Sequence, residues 1–203
     1  MINLPKSCEV NRFIPKNTFY TKTDISNSLK QEFTDKVEKI YWRYKISEEI
    51  LNISKTEDVE EIEIFEIVLK IKNDCKNILN AITKNIPYKI LFVLKYDDDF
   101  KYAIKYNDTI YYSDWNIDID FNFSGLNLSE VYNNIVKAIT NIDEEINDLD
   151  SELNKKNKIA SLENEIEHLT RKKDLEKQFN RKVELNLQIQ SLEKELKELK
   201  ENG

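Results

Sequence analysis

The sequence predicts an α+β protein: a small, mainly antiparallel sheet with packed helices over residues 1–125, followed by a helical coiled-coil hairpin over 126–203. Three observations carry this expectation. Between residues 61 and 115, β-branched and aromatic residues alternate with Lys, Glu and Asp in runs broken by short polar turns, the pattern of strands with one wet face. Beyond Gly125, apolar residues recur at heptad spacing: Ile142, Ile146, Leu149 and Leu153 at 4-3-4, Ile159, Leu162, Ile166 and Leu169 at 3-4-3, and Leu192, Leu196 and Leu199 at 4-3. Composition agrees, since 34% charged residues beside 40% apolar ones is more charge than a compact core needs, and long solvated helices absorb the excess.

Taken in order, "LPKSCEVNRFIPKNTFYTK" has two prolines and no sustained period. It is expected as extended chain whose Val10, Phe13, Ile14, Phe19 and Tyr20 pack on later elements. From Asp24 onward Leu29, Phe33, Val37, Ile40, Tyr41 and Tyr44 recur at three and four, which predicts an amphipathic helix capped by Ser26 or Asn27. The run "EIEIFEIVLKIK" alternates in two phases, Ile62 and Ile64, then Phe65, Ile67, Leu69 and Ile71. That switch predicts a bulge or a strand buried on both faces. Cys75, Ile78, Leu79, Ile82 and Ile86 form a helical stripe that Pro87 ends. Strands are expected at 88–96, 100–106 and 109–115, joined by turns at 97–99 and 107–108, with 116–123 a further extended piece. In the C-terminal third the heptad register slips across "NKKNK", residues 154–158. A hairpin turning there is preferred to one continuous helix with a stutter, because a lone helix of that length has nothing against which to bury its seam.

The totals exclude several classes. A formal charge of -7 and a pI near 5.0 rule against a global positive field for nucleic acid, and neither part is basic: residues 1–125 carry 18 Lys+Arg against 21 Asp+Glu, and 126–203 carry 13 against 17. Cys8 and Cys75 are far apart with no CxxC spacing, so no disulfide framework or zinc site is expected and a reducing, cytoplasmic setting fits. With two glycines in all, no phosphate-cradling loop exists and no cofactor is expected. No window approaches the roughly 18 apolar residues of a membrane span, and no membrane partner is expected.

Candidate chemistry is sparse. A metal-dependent nuclease of the PD-(D/E)XK type needs an acidic residue, then Glu or Asp and Lys two apart on one strand. Here Glu66 and Lys70 are four apart, about 13 Å along a strand rising about 3.3 Å per residue, so Glu66, Lys70 and Asp58 form only a distant version of that site. Asp97, Asp98 and Asp99 lack the alternate spacing and the glycine of a calcium loop and read as a hairpin tip. His168, the sole histidine, lies inside a heptad run and reads as a solvated helix position. "IYWRYK" interleaves Tyr41, Trp42, Tyr44 with Arg43 and Lys45, as nucleic-acid surfaces do, although a helix would spread these around its cylinder and turn Arg43 outward. Lys6, Arg12, Lys16 and Lys22 form the other basic group, making Arg12, Lys16 and Arg43 the candidate nucleic-acid contacts. No catalytic or metal-ligating residue is assigned.

The segments "LPKSCEVNRFIPKNTFY", "IYWRYKIS", "EIEIFEIVLK", "IPYKILFVLKY", "GLNLSEVYNNIV" and "KQFNRKVELNLQIQSLEKEL" resemble, in order and along nearly the whole chain, the bacterial domain-of-unknown-function family numbered 4391. The resemblance implies a context, restriction or phage-defence clusters encoding helicases and DNA methyltransferases, and no catalytic residues. The resulting expectation is an accessory or adaptor subunit that docks a helicase or methyltransferase through its C-terminal helices, with Leu162, Ile166, Leu169, Leu192 and Leu196 as the partner-binding seam. A homodimer through the same seam, a divergent nuclease, and DNA binding by the basic N-terminal segment are the alternatives.

Overall fold

The computed structural model describes residues 2–21, 25–143 and 145–201, so Lys22, Asp24 and the side chain of Tyr20 lie outside the described residues. A 3-10 turn (Lys6–Cys8) leads into strand β1 (Glu9–Phe13), helix α1 (Thr18–Thr21), helix α2 (Asn27–Lys36), strand β2 (Val37–Ser47), the helical turn α3 (Glu48–Leu51) and strand β3 (Glu61–Leu69). Helix α4 (Lys76–Asn85) then crosses to β4 (Lys89–Tyr96), β5 (Asp99–Tyr106) and β6 (Thr109–Tyr112), followed by helices α5 (Leu128–Thr140), α6 (Leu149–Leu175) and α7 (Phe179–Glu201). The six strands lie in sequence order in one sheet, and every neighbouring pair is antiparallel except β3 and β4. Parallel neighbours cannot be joined by a tight turn, and α4 is the crossover that joins them.

This α+β sheet is layered on both sides because β3 is buried on both faces. Phe65, Ile67 and Leu69 face one side with Ile40 of β2 and Phe92 and Leu94 of β4, where they meet Phe19 of α1, Phe33 of α2, and Ile78, Leu79 and Ile82 of α4. Ile62 and Ile64, one residue out of phase, turn to the opposite face. There α5 packs on β3, β5 and β6 and buries Leu128, Val131, Ile135 and Ile139, one stripe at helical spacing. Its start is well specified: Asn127 Oδ1 accepts from Glu130 N at 3.0 Å, and Glu130 Oε2 accepts from Leu126 N at 2.7 Å. A Cβ on Gly125 would come within 3.1 Å of Glu130 Cβ and 3.2 Å of Val131 N, so a larger residue there would press the chain back from the helix by a few tenths of an ångström.

Several expectations change. The helix foreseen across 24–44 stops at Lys36, and "VEKIYWRYKIS" is strand β2. Ser26 does cap α2, its hydroxyl accepting from Leu29 N at 3.2 Å. Long-range pairing with β3 overrides a three-and-four pattern that β-branched and aromatic residues also satisfy as a strand. The N-terminal segment is more than loose extended chain, since residues 9–13 pair with β2 as the sheet's first strand. Residues 116–123 form no strand. The tight turns between β4, β5 and β6 work without glycine, because Asp97 and Asn107, at φ 50° each, tolerate the left-handed region.

The chain divides into two compact units, Met1–Glu145 and Ile146–Gly203, rather than at 125/126. The reason is α5, whose apolar stripe is used by the sheet. Within the second unit α6 and α7 pack side by side as a hairpin. Its turn is not at 154–158: α6 runs through that Asn- and Lys-rich stretch, exposed at Asn154, Asn157 and Lys158 and half-buried at Lys155 and Lys156, and the reversal comes at Glu176–Gln178. The Glu176 carboxylate accepts from the backbone N–H of Lys177 and Gln178 at 2.8 and 2.9 Å, fixing the corner. Lys158 with Glu195 at 2.7 Å and Lys200 with Glu163 at 2.8 Å bridge the two arms. Such exposed pairs add at most about 1 kcal/mol each, so they set register more than stability.

Phe65 is buried between Trp42 and Phe92, its ring centroid 6.4 and 6.5 Å from theirs. Phe65→Ala is expected to destabilise the protein by about 3–5 kcal/mol in urea unfolding, while Phe179→Ala, at a side chain 77% exposed, changes stability by less than about 0.5 kcal/mol.

Candidate functional site

Alternation along β3 puts Glu66 in phase with Ile62 and Ile64, on the α5 side of the sheet, where a cleft of about 630 Å³ opens. Strand β2 carries one extra residue opposite this point: Trp42 pairs with Phe65 and Tyr44 with Ile64, leaving Arg43 on a bulge. The bulge brings the Arg43 guanidinium to Glu66, Nη2 donating to Oε1 at 2.6 Å, while Nη1 donates to Asn11 Oδ1 at 3.3 Å. The Tyr41 ring centroid lies 4.4 Å from Arg43 Cζ, a cation–π contact on the guanidinium face. On the other side Lys95 of β4 pairs with Glu66 Oε2 at 3.1 Å. Ile64 and Val93 line the cleft between strands, Tyr44, Phe100 and Tyr102 give it aromatic walls, and Ile2, Asn116 and Asp118 also line it.

Glu66 is only 11% exposed, yet it stays ionised. Burial by itself raises its carboxyl, but the hydrogen bonds from Arg43 and Lys95 outweigh that and hold it below the ordinary carboxylate range. Glu63, in phase with Phe65 on the face that α2 and α4 cover, behaves in the opposite sense. Burial, then the neighbouring charge of Glu61, push its carboxyl up to about 7, and Lys45, which pairs with Glu61 at 2.6 Å, offsets only part. Two glutamates three residues apart thus have opposite charge logic, because Glu66 is hydrogen-bonded by two cations while Glu63 feels Lys45 only at a distance and sits beside Glu61.

The residues singled out for a nuclease are not brought together. Asp58 precedes β3 and is exposed, and Lys70 follows its far end, its Nζ donating to Thr34 O at 2.7 Å. Among the described residues no group of three or more His, Cys, Asp or Glu is placed to hold a metal ion. Asp99 accepts from Lys72 Nζ at 2.7 Å and Asn116 Nδ2 at 2.6 Å, so the hairpin tip is tied down within the sheet. The candidate nucleic-acid contacts also separate. Lys16 Nζ donates to Val37 O at 2.8 Å, satisfying the end of α2. Arg12, on the edge strand, is exposed and pairs in register with Trp42, while Arg43 is committed to Glu66. Cys8 and Cys75 are buried free thiols, Cys75 raised to about 11 by burial.

Leu162 is buried, and Ile166, Leu169, Leu192 and Leu196 are half-buried, along the hairpin with Leu185 and Ile189. The seam foreseen as a partner surface is therefore largely used between α6 and α7. A second stripe was not foreseen. Phe179, Val183 and Leu187 recur every fourth residue on α7 and are 77, 43 and 61% exposed, with Leu175 at the end of α6 82% exposed. At 100° per residue Val183 lies about 200° from Leu185, so this stripe faces away from the seam. Its spacing was legible in "FNRKVELNL"; what could not be read was which of two apolar stripes the partner arm covers.

A family model described as "Domain of unknown function (DUF4391)" matches residues 2–196. No curated protein and no solved structure matches the chain. Among the described residues no helix is long and apolar enough to cross a membrane.

The two glutamates give opposite pH signatures. Below about 4.5 the unfolded chain protonates Glu66 before the folded state does, so the stability it contributes at neutral pH is lost on acidification. Between about 4.5 and 7 the folded state keeps the Glu63 proton that the unfolded chain releases, so stability falls as pH rises through that window. Glu63→Gln is expected to stabilise the protein at pH 8 by up to about 3 kcal/mol and to do little at pH 4.5. Glu66→Gln is expected to cost about 1–3 kcal/mol at pH 7, a deficit that shrinks at acid pH, with chemical denaturation across pH as the check.

Proposed function

The chain belongs to that family, whose description assigns no activity, and we propose from its own geometry that it is an accessory subunit that docks a larger protein through the outer face of its helical hairpin. The observation that carries this reading is the stripe Leu175, Phe179, Val183 and Leu187, apolar, exposed and turned away from the seam. An apolar helical face at this spacing is the form that groove- and helix-binding partners recognise. Charge narrows the partner. Residues 171–184 hold six Lys and Arg against three Asp and Glu, in a chain whose net charge is -7. The partner that fits is an amphipathic helix with acidic flanks. A second copy docked tip to tip would oppose like charges. Within this proposal the partner is a helicase or DNA methyltransferase of a restriction or phage-defence system, the context the family resemblance implies.

DNA binding through the N-terminal segment has less support, since Lys16 is engaged inside the fold and Arg43 is held beside Glu66 on the β2 bulge rather than on a shared basic surface with Arg12. The docking proposal is tested by co-expressing the full chain with the proteins encoded beside it and comparing capture by the wild type with capture by Phe179→Ser/Leu187→Ser. Loss of two apolar anchors is expected to weaken association at least tenfold with folding intact, and rising salt to weaken the wild-type complex. Equal capture by both chains, or binding of the wild type to acidic lipid vesicles instead of a protein, overturns it.

A further inference from the structure

We propose that the cleft over Glu66 binds a small organic anion with a flat apolar body, and that Glu66 positions the two cations that receive its charge. This inference is independent of the hairpin. At about 630 Å³ the cleft is within the roughly 300–1,000 Å³ of small-ligand sites. Its charged group is built in. One carboxylate, Glu66, is bonded by two cations, which leaves the Arg43–Glu66–Lys95 cluster with an excess positive charge. An ammonium has three donors and a guanidinium five, so neither cation is saturated by Glu66 and Asn11. Both remain open to solvent, at 32% and 48% side-chain exposure, whereas Glu66 beneath them does not.

The geometry also orients the ligand. Glu66 pairs across to Val93, and Val93 to Tyr102, so Tyr102 lies two strand spacings, about 10 Å, from Glu66. Between them Val93 is the apolar floor, over buried Ile64, with Tyr44 and Phe100 to stack against a ring. Asp118 lines the cleft beside Tyr102 and puts the negative charge at the side away from the two cations. A carboxylate or a phosphate carried on an aromatic ring system has this shape. Holding Arg43 on a bulge, against Tyr41 and Asn11, fixes the receiving group before the ligand arrives and lowers the ordering cost of binding.

The test is isothermal titration of the full-length protein with four probes: 2-naphthoate, adenosine 5′-monophosphate, the neutral 2-naphthylmethanol, and inorganic phosphate. At least one aromatic anion is expected to saturate at one site, with the neutral alcohol and inorganic phosphate at least tenfold weaker. Preference between the two anions identifies a carboxylate or a phosphate source. Lys95→Gln and, separately, Phe100→Ala should each weaken that binding at least tenfold, while Phe179→Ser leaves it unchanged and so excludes the exposed hairpin stripe. Failure of both aromatic anions to saturate, equal binding of the neutral alcohol, or undiminished binding by both cleft variants overturns the proposal.

Discussion

Parallel pairing of β3 with β4 is the constraint on which the head of this protein depends. It places β3 between two strands with apolar side chains on both faces, and a strand so placed must be covered twice. Helix α4 covers one face because the parallel connection has to cross over the sheet in any case. The other face needs a helix from elsewhere, and α5 supplies it, entered through Gly125 and the Asn127–Glu130 cap. Burial on both faces also governs the charged residues of the strand. Glu63 and Glu66 fall on opposite faces, and each must be neutralised locally: Glu66 by Arg43 and Lys95, Glu63 by retaining a proton up to about pH 7.

How much of this was legible follows from the range of the interactions involved. Short-range features were readable: the stripe of α4 and its stop at Pro87, the hairpins through Asp97 and Asn107, and the Ser26 cap. Burial of β3 on both faces was readable from its change of phase, although the bulge that accompanies it lies on β2, at Arg43. Features decided by distant partners were not. Residues 37–47 satisfy a helical and a strand pattern together, and only β1 on one side and β3 on the other select the strand. Residues 128–140 look like the start of the helical arm until the sheet claims their apolar face.

The cleft shows the same limit more sharply. Glu66 stood out in the sequence only as the carboxylate of a nuclease-like Glu–Lys pair on a strand, and its burial was not foreseen. Its partner was sought along the same strand, at Lys70, where pattern reading can reach. The actual partners come from the two flanking strands, Arg43 by way of a one-residue bulge and Lys95 by way of the parallel register. Neither relation leaves a local signature, since the sequence distance from Glu66 to Lys95 is set by the length of a crossover helix.

In the hairpin, the competition is between two apolar stripes on one helix. The first, Leu185 and Ile189 continuing through Leu192 and Leu196, is the longer and pairs with α6. The second, Phe179, Val183 and Leu187, is confined to the first turns of α7, beside the corner that Glu176 holds. A helix with both stripes buried would need a neighbour on each side, as β3 does in the sheet. Here the surrounding residues are charged, and their sign near the corner opposes that of the chain as a whole. Positive charge around an exposed apolar stripe lowers its attraction to its own copies while leaving it able to meet a surface of opposite sign.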